Sequence, residues 1–317
     1  MKYTVYLGSK CNLNCAYCHK EAGKESGISD EFIARLKAEG ATDIRFMGGE
    51  PTLYMDEIRK VVDNFPDVQF AITTNGVLFD KYIDYFREHN FLVCISYDGT
   101  DKDLRGFDPF TKLIDYPKIA VSCTLYHGNC DFREIMRNFA KKEEIIGRKL
   151  SFFPHIAHST YDGNDEYSLN IDELVSVIRQ YKEAIVRFTD DLRMGVTNLR
   201  WKPIVIQLLK RLKAGYEFGE TYCVHKNLKK VDTSGRFYSC HYIRDEELPK
   251  GEELESMAGI IRKKFPKCES CPVYDMCGAA CIKSKRHELE CFFYHRLFTW
   301  FRDFYTANAD ILGGIKV

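Results

Sequence analysis

A surplus of charge of either sign is missing from this sequence. Its 46 basic residues match its 46 acidic ones, so the formal net charge is zero. A chain without a basic surplus has no electrostatic footprint for DNA, RNA or an anionic membrane surface. Long apolar runs are missing too. Nothing reaches the length needed to span a bilayer, and MKYTVYLGSK at the start reads as a strand rather than a signal peptide. No internal repeat or low-complexity tract interrupts the chain. These absences predict a globular cytoplasmic protein with no nucleic acid or membrane partner. At 317 residues it has room for one large domain and a smaller one.

What the sequence does have is cysteine, 13 in all. In a reducing compartment, clustered thiols bind metal or do redox chemistry more often than they form disulfides. Cys94, Cys123 and Cys130 lie apart and read as small buried hydrophobes. The other ten fall into two groups, at 11–18 and 223–291.

Strand-like runs at 2–7, 43–48, 69–74, 91–96, 119–125 and 150–156 alternate with helical periodicity at 30–39, 55–65, 81–89 and 132–144. Repeated strand–helix order implies right-handed crossovers and a parallel sheet. Six units predict an α/β fold, a partial (β/α)6 TIM-like barrel with its site at the C-terminal strand ends. Further helical pattern at 171–187 and 203–213 precedes a change of texture near 215. The expected domains are therefore 1–214 and a cysteine-rich 215–317. The aromatic stripe CFFYHRLFTWFRDFY, 291–305, is expected to be core packed against the barrel.

The first group, CNLNCAYC, places Cys11, Cys15 and Cys18 in one loop after the first strand. A closed zinc site wants four ligands, and His19 is awkwardly close to serve as the fourth. Three thiolates from one loop suit three irons of a [4Fe–4S] cluster, leaving the fourth open. The second strand ends in MGGEPTL, the third in TTNG and the fourth in ISYDG. Gly48 and Gly49 permit close backbone approach, while Asn75, Ser96 and Asp98 are short polar groups at the barrel mouth. Ser122 and Thr124 on the fifth strand are weaker candidates.

Taken in order, these motifs resemble the radical S-adenosylmethionine (SAM) superfamily. The resemblance implies that SAM chelates the open iron and is cleaved to methionine and a 5′-deoxyadenosyl radical. It implies a cofactor site shaped by Tyr17, Gly48, Gly49, Glu50, Asn75, Ser96, Asp98 and Ser122, with Arg105 downstream of Asp98-Gly99. The C-terminal group, Cys223, Cys240, Cys268, Cys271, Cys277, Cys281 and Cys291, is similar to the SPASM subgroup with two auxiliary [4Fe–4S] clusters. That pattern implies Cys268, Cys271, Cys277 and Cys291 around an outer cluster, and Cys223, Cys240 and Cys281 around an inner one with a possible vacancy. A zinc staple remains the alternative for these thiols, in a binding module rather than an enzyme.

SPASM members chiefly modify peptides, so the expected function is a peptide maturase that forms a thioether or carbon–carbon cross-link. The alternatives are a sulfatase-maturase-like enzyme and a small-molecule radical SAM dehydrogenase. His241 stands where sulfatase maturases carry an acid, which argues against that activity. His241, Arg105 and Tyr242 are the catalytic candidates; Tyr97 and His155 are further pocket candidates. Expected partners are a peptide, a separate leader-recognition protein (Cys11 leaves no room for a leader-gripping module before it) and an electron donor such as flavodoxin or ferredoxin.

Overall fold

In a computed structural model, the described residues are 1–18, 27–100, 104–111, 116–157, 165–223, 225–235 and 254–316. Seven strands form one sheet: β1 (Lys2–Tyr6), β2 (Asp43–Met47), β3 (Gln69–Thr74), β4 (Leu92–Ser96), β5 (Ile119–Leu125), β6 (Phe152–Ile156) and β7 (Leu228–Asp232). Their order is β6-β5-β4-β3-β2-β1-β7. The registers of β7-β1-β2-β3-β4-β5 are all parallel. The α/β class and the six anticipated strands are present. The seventh, β7, comes from the segment assigned to the cysteine-rich domain. Its sequence LKKVD has a single buried residue, Val231, in register with Val5, so it carries no apolar alternation to announce it.

The chain divides into two compact units. The first comprises Met1–Tyr97, Asp101–Ser122 and Cys223–Glu252. The second comprises Asp98–Thr100, Cys123–Tyr222 and Glu253–Val317. This partition differs from the compositional division at 214/215.

In the first unit, α1 (Asp30–Ala38), α2 (Met55–Asn64) and α3 (Phe79–Glu88) follow β1, β2 and β3. Strand alternation sets the core: Tyr3, Val5, Ile44, Phe46, Phe70, Ile72, Val93 and Ile95 are buried, each separated by a less buried residue. Phe46, Phe70 and Phe91 stack with centroid separations of 6.1 and 5.4 Å along the row. The Tyr116 hydroxyl is satisfied by the carbonyls of Phe86 at 2.8 Å and Phe91 at 2.7 Å. Ser29 caps α1 by accepting from the Phe32 N–H.

The second unit holds α4 (Phe132–Ile146), α5 (Ile171–Arg193), α6 (Lys202–Ala214), α7 (Leu254–Lys264), α8 (Tyr274–Cys277), α9 (His287–Ala307) and α10 (Ala309–Leu312). A capping box between Asn170 and Glu173 starts α5. The aromatic stripe of α9 is core, as its buried Phe293, Phe298 and Phe301 show, and α9 packs within its unit against α5, α6, α8 and α10. No helix among the described residues is long and apolar enough to cross a membrane.

Candidate functional site

A cavity of about 140 Å³ opens in the first unit where the C-terminal ends of β2, β3 and β4 face the loop after β1. Cys11, Cys15 and Cys18 line it, together with Gly48, Gly49, Glu50, Asn75, Ser96 and Arg105. Met47, Thr73 and Thr74 complete the wall from the strand ends. The sequence reading had not singled these three out; period-two alternation from Asn75 and Gly49 would have found Thr73 and Met47.

The two glycines line the cavity and also have a task inside the chain. Both were assigned to ligand approach. A Cβ on Gly49 would stand 2.3 Å from the Lys10 carbonyl and 2.4 Å from that of Ser9; one on Gly48, at φ +154°, would stand 2.6 Å from the Gly8 carbonyl. The Gly49 and Glu50 N–H groups instead donate to the Gly8 and Lys10 carbonyls, each at 2.8 Å. The glycines thus seat the root of the cysteine loop on the end of β2.

Glu50 is 1% exposed and both its oxygens are engaged. Oε1 accepts from the Thr52 N–H at 3.0 Å and from the hydroxyls of Thr52 and Thr74, both at 2.6 Å. Oε2 accepts from the Asn75 N–H at 2.8 Å. The carboxylate locks the 3-10 turn Pro51–Tyr54 to the end of β3. Asn75 in turn donates through Nδ2 to Asn12 Oδ1 at 2.8 Å and points at Cys11 Sγ, 3.7 Å away.

On the opposite side, the segment after β4 holds the loop. The Ala16 N–H donates to the Leu104 carbonyl at 2.9 Å. Arg105 donates to the Tyr17 hydroxyl, with its guanidinium 5.8 Å from the ring centre. Tyr17 is buried behind the cavity wall.

Asp98 does not line this cavity. It belongs to the second unit, where its carboxylate accepts from the Thr124 N–H at 3.0 Å and its carbonyl from Asn129 Nδ2 at 3.0 Å. Thr124 also contacts His155 Nε2 at 3.1 Å. Ser122 stands in register with Ser96 but is not part of the cavity wall. Tyr97 is buried edge-on to Phe110 at 5.2 Å. His19, Cys240, His241 and Tyr242 lie outside the described residues.

Four C-terminal thiols influence one another electrostatically. Burial foremost, then the neighbouring Cys291 and Cys271, pushes Cys268 up to about 11. Burial pushes Cys277 up to about 12, with Arg211 opposing and Cys268 and Cys291 adding. Cys291 is raised by burial and by Cys271. Between this set and Cys281 runs a turn of three successive left-handed residues, Gly278 (φ 58°), Ala279 (φ 59°) and Ala280 (φ 52°). Cys281 donates its N–H to the buried Glu290 at 3.2 Å. Cys223 and Cys281 fall in different units. Cys123 is fully buried, and burial raises Cys94 and pushes Cys130 up to about 12.

Among the described residues no ready-made cluster of three or more His, Cys, Asp or Glu side chains is formed. The donor sets nevertheless fit iron–sulfur ligation in kind: three thiols from one loop share one cavity, and Cys268, Cys271, Cys277 and Cys291 supply four more from the C-terminal segment.

Comparison with known proteins bears on these expectations. The model of the Radical SAM superfamily matches residues 5–126. A probable GTP 3′,8-cyclase of Archaeoglobus fulgidus is 25% identical over 83% of this chain and 94% of its own. Molybdenum cofactor biosynthesis protein moc-5 of Caenorhabditis elegans is 26% identical over 59% of this chain, which spans only 35% of that protein. The solved structure of native anSMEcpe with bound AdoMet superposes with a TM-score of 0.65 at 17% identity, covering 99% of this chain and 100% of the other. That likeness is one of fold.

The expected peptide maturase is overturned by these relatives, which are named as GTP 3′,8-cyclases and molybdenum cofactor proteins. The error came from weighting the seven C-terminal thiols as a functional signature. The superfamily match takes in the cysteine loop and the chain through β5, and the full-length likeness to anSMEcpe is one of fold.

Proposed function

We propose that this protein is a radical SAM enzyme acting on a small molecule, with a guanine nucleotide as the first substrate class to test. The observation that carries the reading is the single cavity shared by Cys11, Cys15, Cys18, Gly48–Glu50, Asn75, Ser96 and Arg105. The small-molecule assignment draws on relatives named as GTP 3′,8-cyclases, one of them aligned over most of both chains.

Cys11, Cys15 and Cys18 would hold a [4Fe–4S] cluster, which when bound supplies the electron that splits the SAM sulfonium. Arg105 offers a fixed cation to the SAM carboxylate. Asn75 and Ser96 offer hydrogen bonds to its polar groups. Glu50 contributes by holding Asn75 and the turn in place. Its oxygens are already committed to four protein donors. The C-terminal thiols would hold auxiliary iron, with Cys268, Cys271, Cys277 and Cys291 as one ligand set. A flavodoxin- or ferredoxin-type donor would supply the electron.

The test is anaerobic reconstitution with iron and sulfide, then incubation with SAM, a reductant and GTP deuterated on its ribose. Release of 5′-deoxyadenosine stimulated by the nucleotide, with deuterium carried into it, is the expected result. Unstimulated release across a panel of nucleotides would overturn the substrate class. Absence of any release while the cluster is present would overturn the reading as a whole.

A further inference from the structure

Arg211 lies on α6 in the second unit and is 5% exposed. Its Nη1 donates to the carbonyls of Met276 at 3.2 Å and Cys277 at 3.4 Å. Its guanidinium sits 3.8 Å from the ring centre of Tyr222, 5.4 Å from that of Tyr294 and 5.3 Å from that of Phe298. Among the described residues it pairs with no carboxylate. Carbonyl dipoles and ring faces offset part of the cost of burying a permanent cation, but a buried charge ordinarily has an ionic partner. Of the two residues whose carbonyls it holds, one, Cys277, carries a thiol that can become anionic. Cys277, whose carbonyl Arg211 already holds, stands in the C-terminal thiol group with Cys268, Cys271 and Cys291.

We propose that Arg211 is the built-in counter-ion of a thiolate metal site formed by Cys268, Cys271, Cys277 and Cys291. The proposal rests on the reading that these four cysteines bind metal. Each thiol loses a proton on binding. Four thiolates around a divalent ion leave a net charge of −2, and Arg211 compensates one of those charges from inside the fold. In the metal-free, protonated protein the same cation is left without an anion. Arg211 is thus a positioning and charge-balancing residue. It ties the stability of this region to occupancy of the site.

The experiment uses the full chain with Cys11, Cys15 and Cys18 changed to Ser, so that the N-terminal loop is silent. Co²⁺ alone is titrated anaerobically, following the thiolate-to-cobalt charge-transfer absorption, and melting temperatures are taken with and without metal. Loss of the tight phase in Cys268→Ser identifies the site; its persistence there overturns the four-cysteine reading itself. With the site established, Arg211→Met should weaken Co²⁺ by about tenfold or more, 1.4 kcal/mol. Arg211→Lys, which keeps the charge, should stay within about threefold of the parent. Arg211→Met should also lower the melting temperature of the loaded protein but not of the metal-free one. A merely structural arginine would lower both equally, and that result overturns the proposal, as does affinity within about twofold of the parent.

Should Arg211→Met fail to fold, the partly exposed Tyr222 gives a second route. Tyr222→Glu supplies a competing carboxylate beside the guanidinium and should weaken Co²⁺ by about tenfold relative to Tyr222→Phe. Equal affinity of the two variants overturns the counter-ion role.

Discussion

Glu50 and Thr74, 24 residues apart in sequence, are joined by a buried 2.6 Å hydrogen bond that ties the turn after β2 to the end of β3. The same carboxylate takes three further donors. Glu50→Gln must turn an amide N–H toward one of them. It should cost about 2–3 kcal/mol, whereas Thr74→Val, which removes one donor, should cost about 1 kcal/mol. Urea denaturation followed by circular dichroism measures both, and equal costs for the two variants would contradict the clamp.

Gly49→Ala should be worse for the site than its size suggests. The added methyl meets two backbone carbonyls, of Lys10 and Ser9, which cannot rotate away as side chains do. The root of the cysteine loop must shift, at a cost of about 1–3 kcal/mol. We expect the reconstituted variant to lose the iron held by the first cysteine group and keep that of the second, read by iron and sulfide quantitation against a Cys11→Ser reference. Full retention at the first group would refute the seating role.

Acid should loosen β7. Burial pulls the Glu39 carboxyl upward, but hydrogen bonds from Lys229, Tyr3 and Arg35 together with the Lys229 charge prevail and bring it down to about 2. Lys229 belongs to β7 and lies 2.8 Å from Glu39. A carboxyl lowered by folding contributes stability above its unfolded value of 4.5, and that contribution is lost as pH falls toward 2. Hydrogen-exchange protection factors along Leu228–Asp232, corrected for the intrinsic rate at each pH, should therefore fall between these values. In Glu39→Gln that pH dependence should flatten, at a cost of about 1 kcal/mol at neutral pH.

Ala280 is held at φ 52°, where a side chain is strained and glycine is not. Ala280→Gly should stabilise the second unit by up to about 1 kcal/mol, reduced by the greater freedom of glycine in the unfolded chain. Its neighbour behaves oppositely: a Cβ on Gly278 would stand 2.7 Å from the Tyr222 nitrogen, so Gly278→Ala should destabilise by more than Ala280→Gly gains. Thermal melts of the two single variants decide the sign of each.

The first six strands and their helices were legible because alternation and 3.6-residue periodicity are local properties. β7 was not, because one buried valine among polar neighbours is no pattern; its place is set by the register with β1. The cavity was legible as residue types at strand ends. The internal contacts were less so: Gly48 and Gly49 also seat the chain's own backbone, and Asp98 bonds to Thr124, since a motif records which residues are needed but not what each one touches. The substrate class was misread because thiol spacing speaks about ligands, whereas the molecule acted upon is chosen by groups with no fixed spacing.

The Ala16–Leu104 bond and the Tyr17–Arg105 contact mean that the cysteine loop is braced by a segment almost ninety residues downstream. The octapeptide CNLNCAYC transplanted onto another scaffold would bring its sulfur atoms without their abutment. Insertions or deletions between β4 and β5 would accordingly be felt at the thiols, however far they lie along the chain.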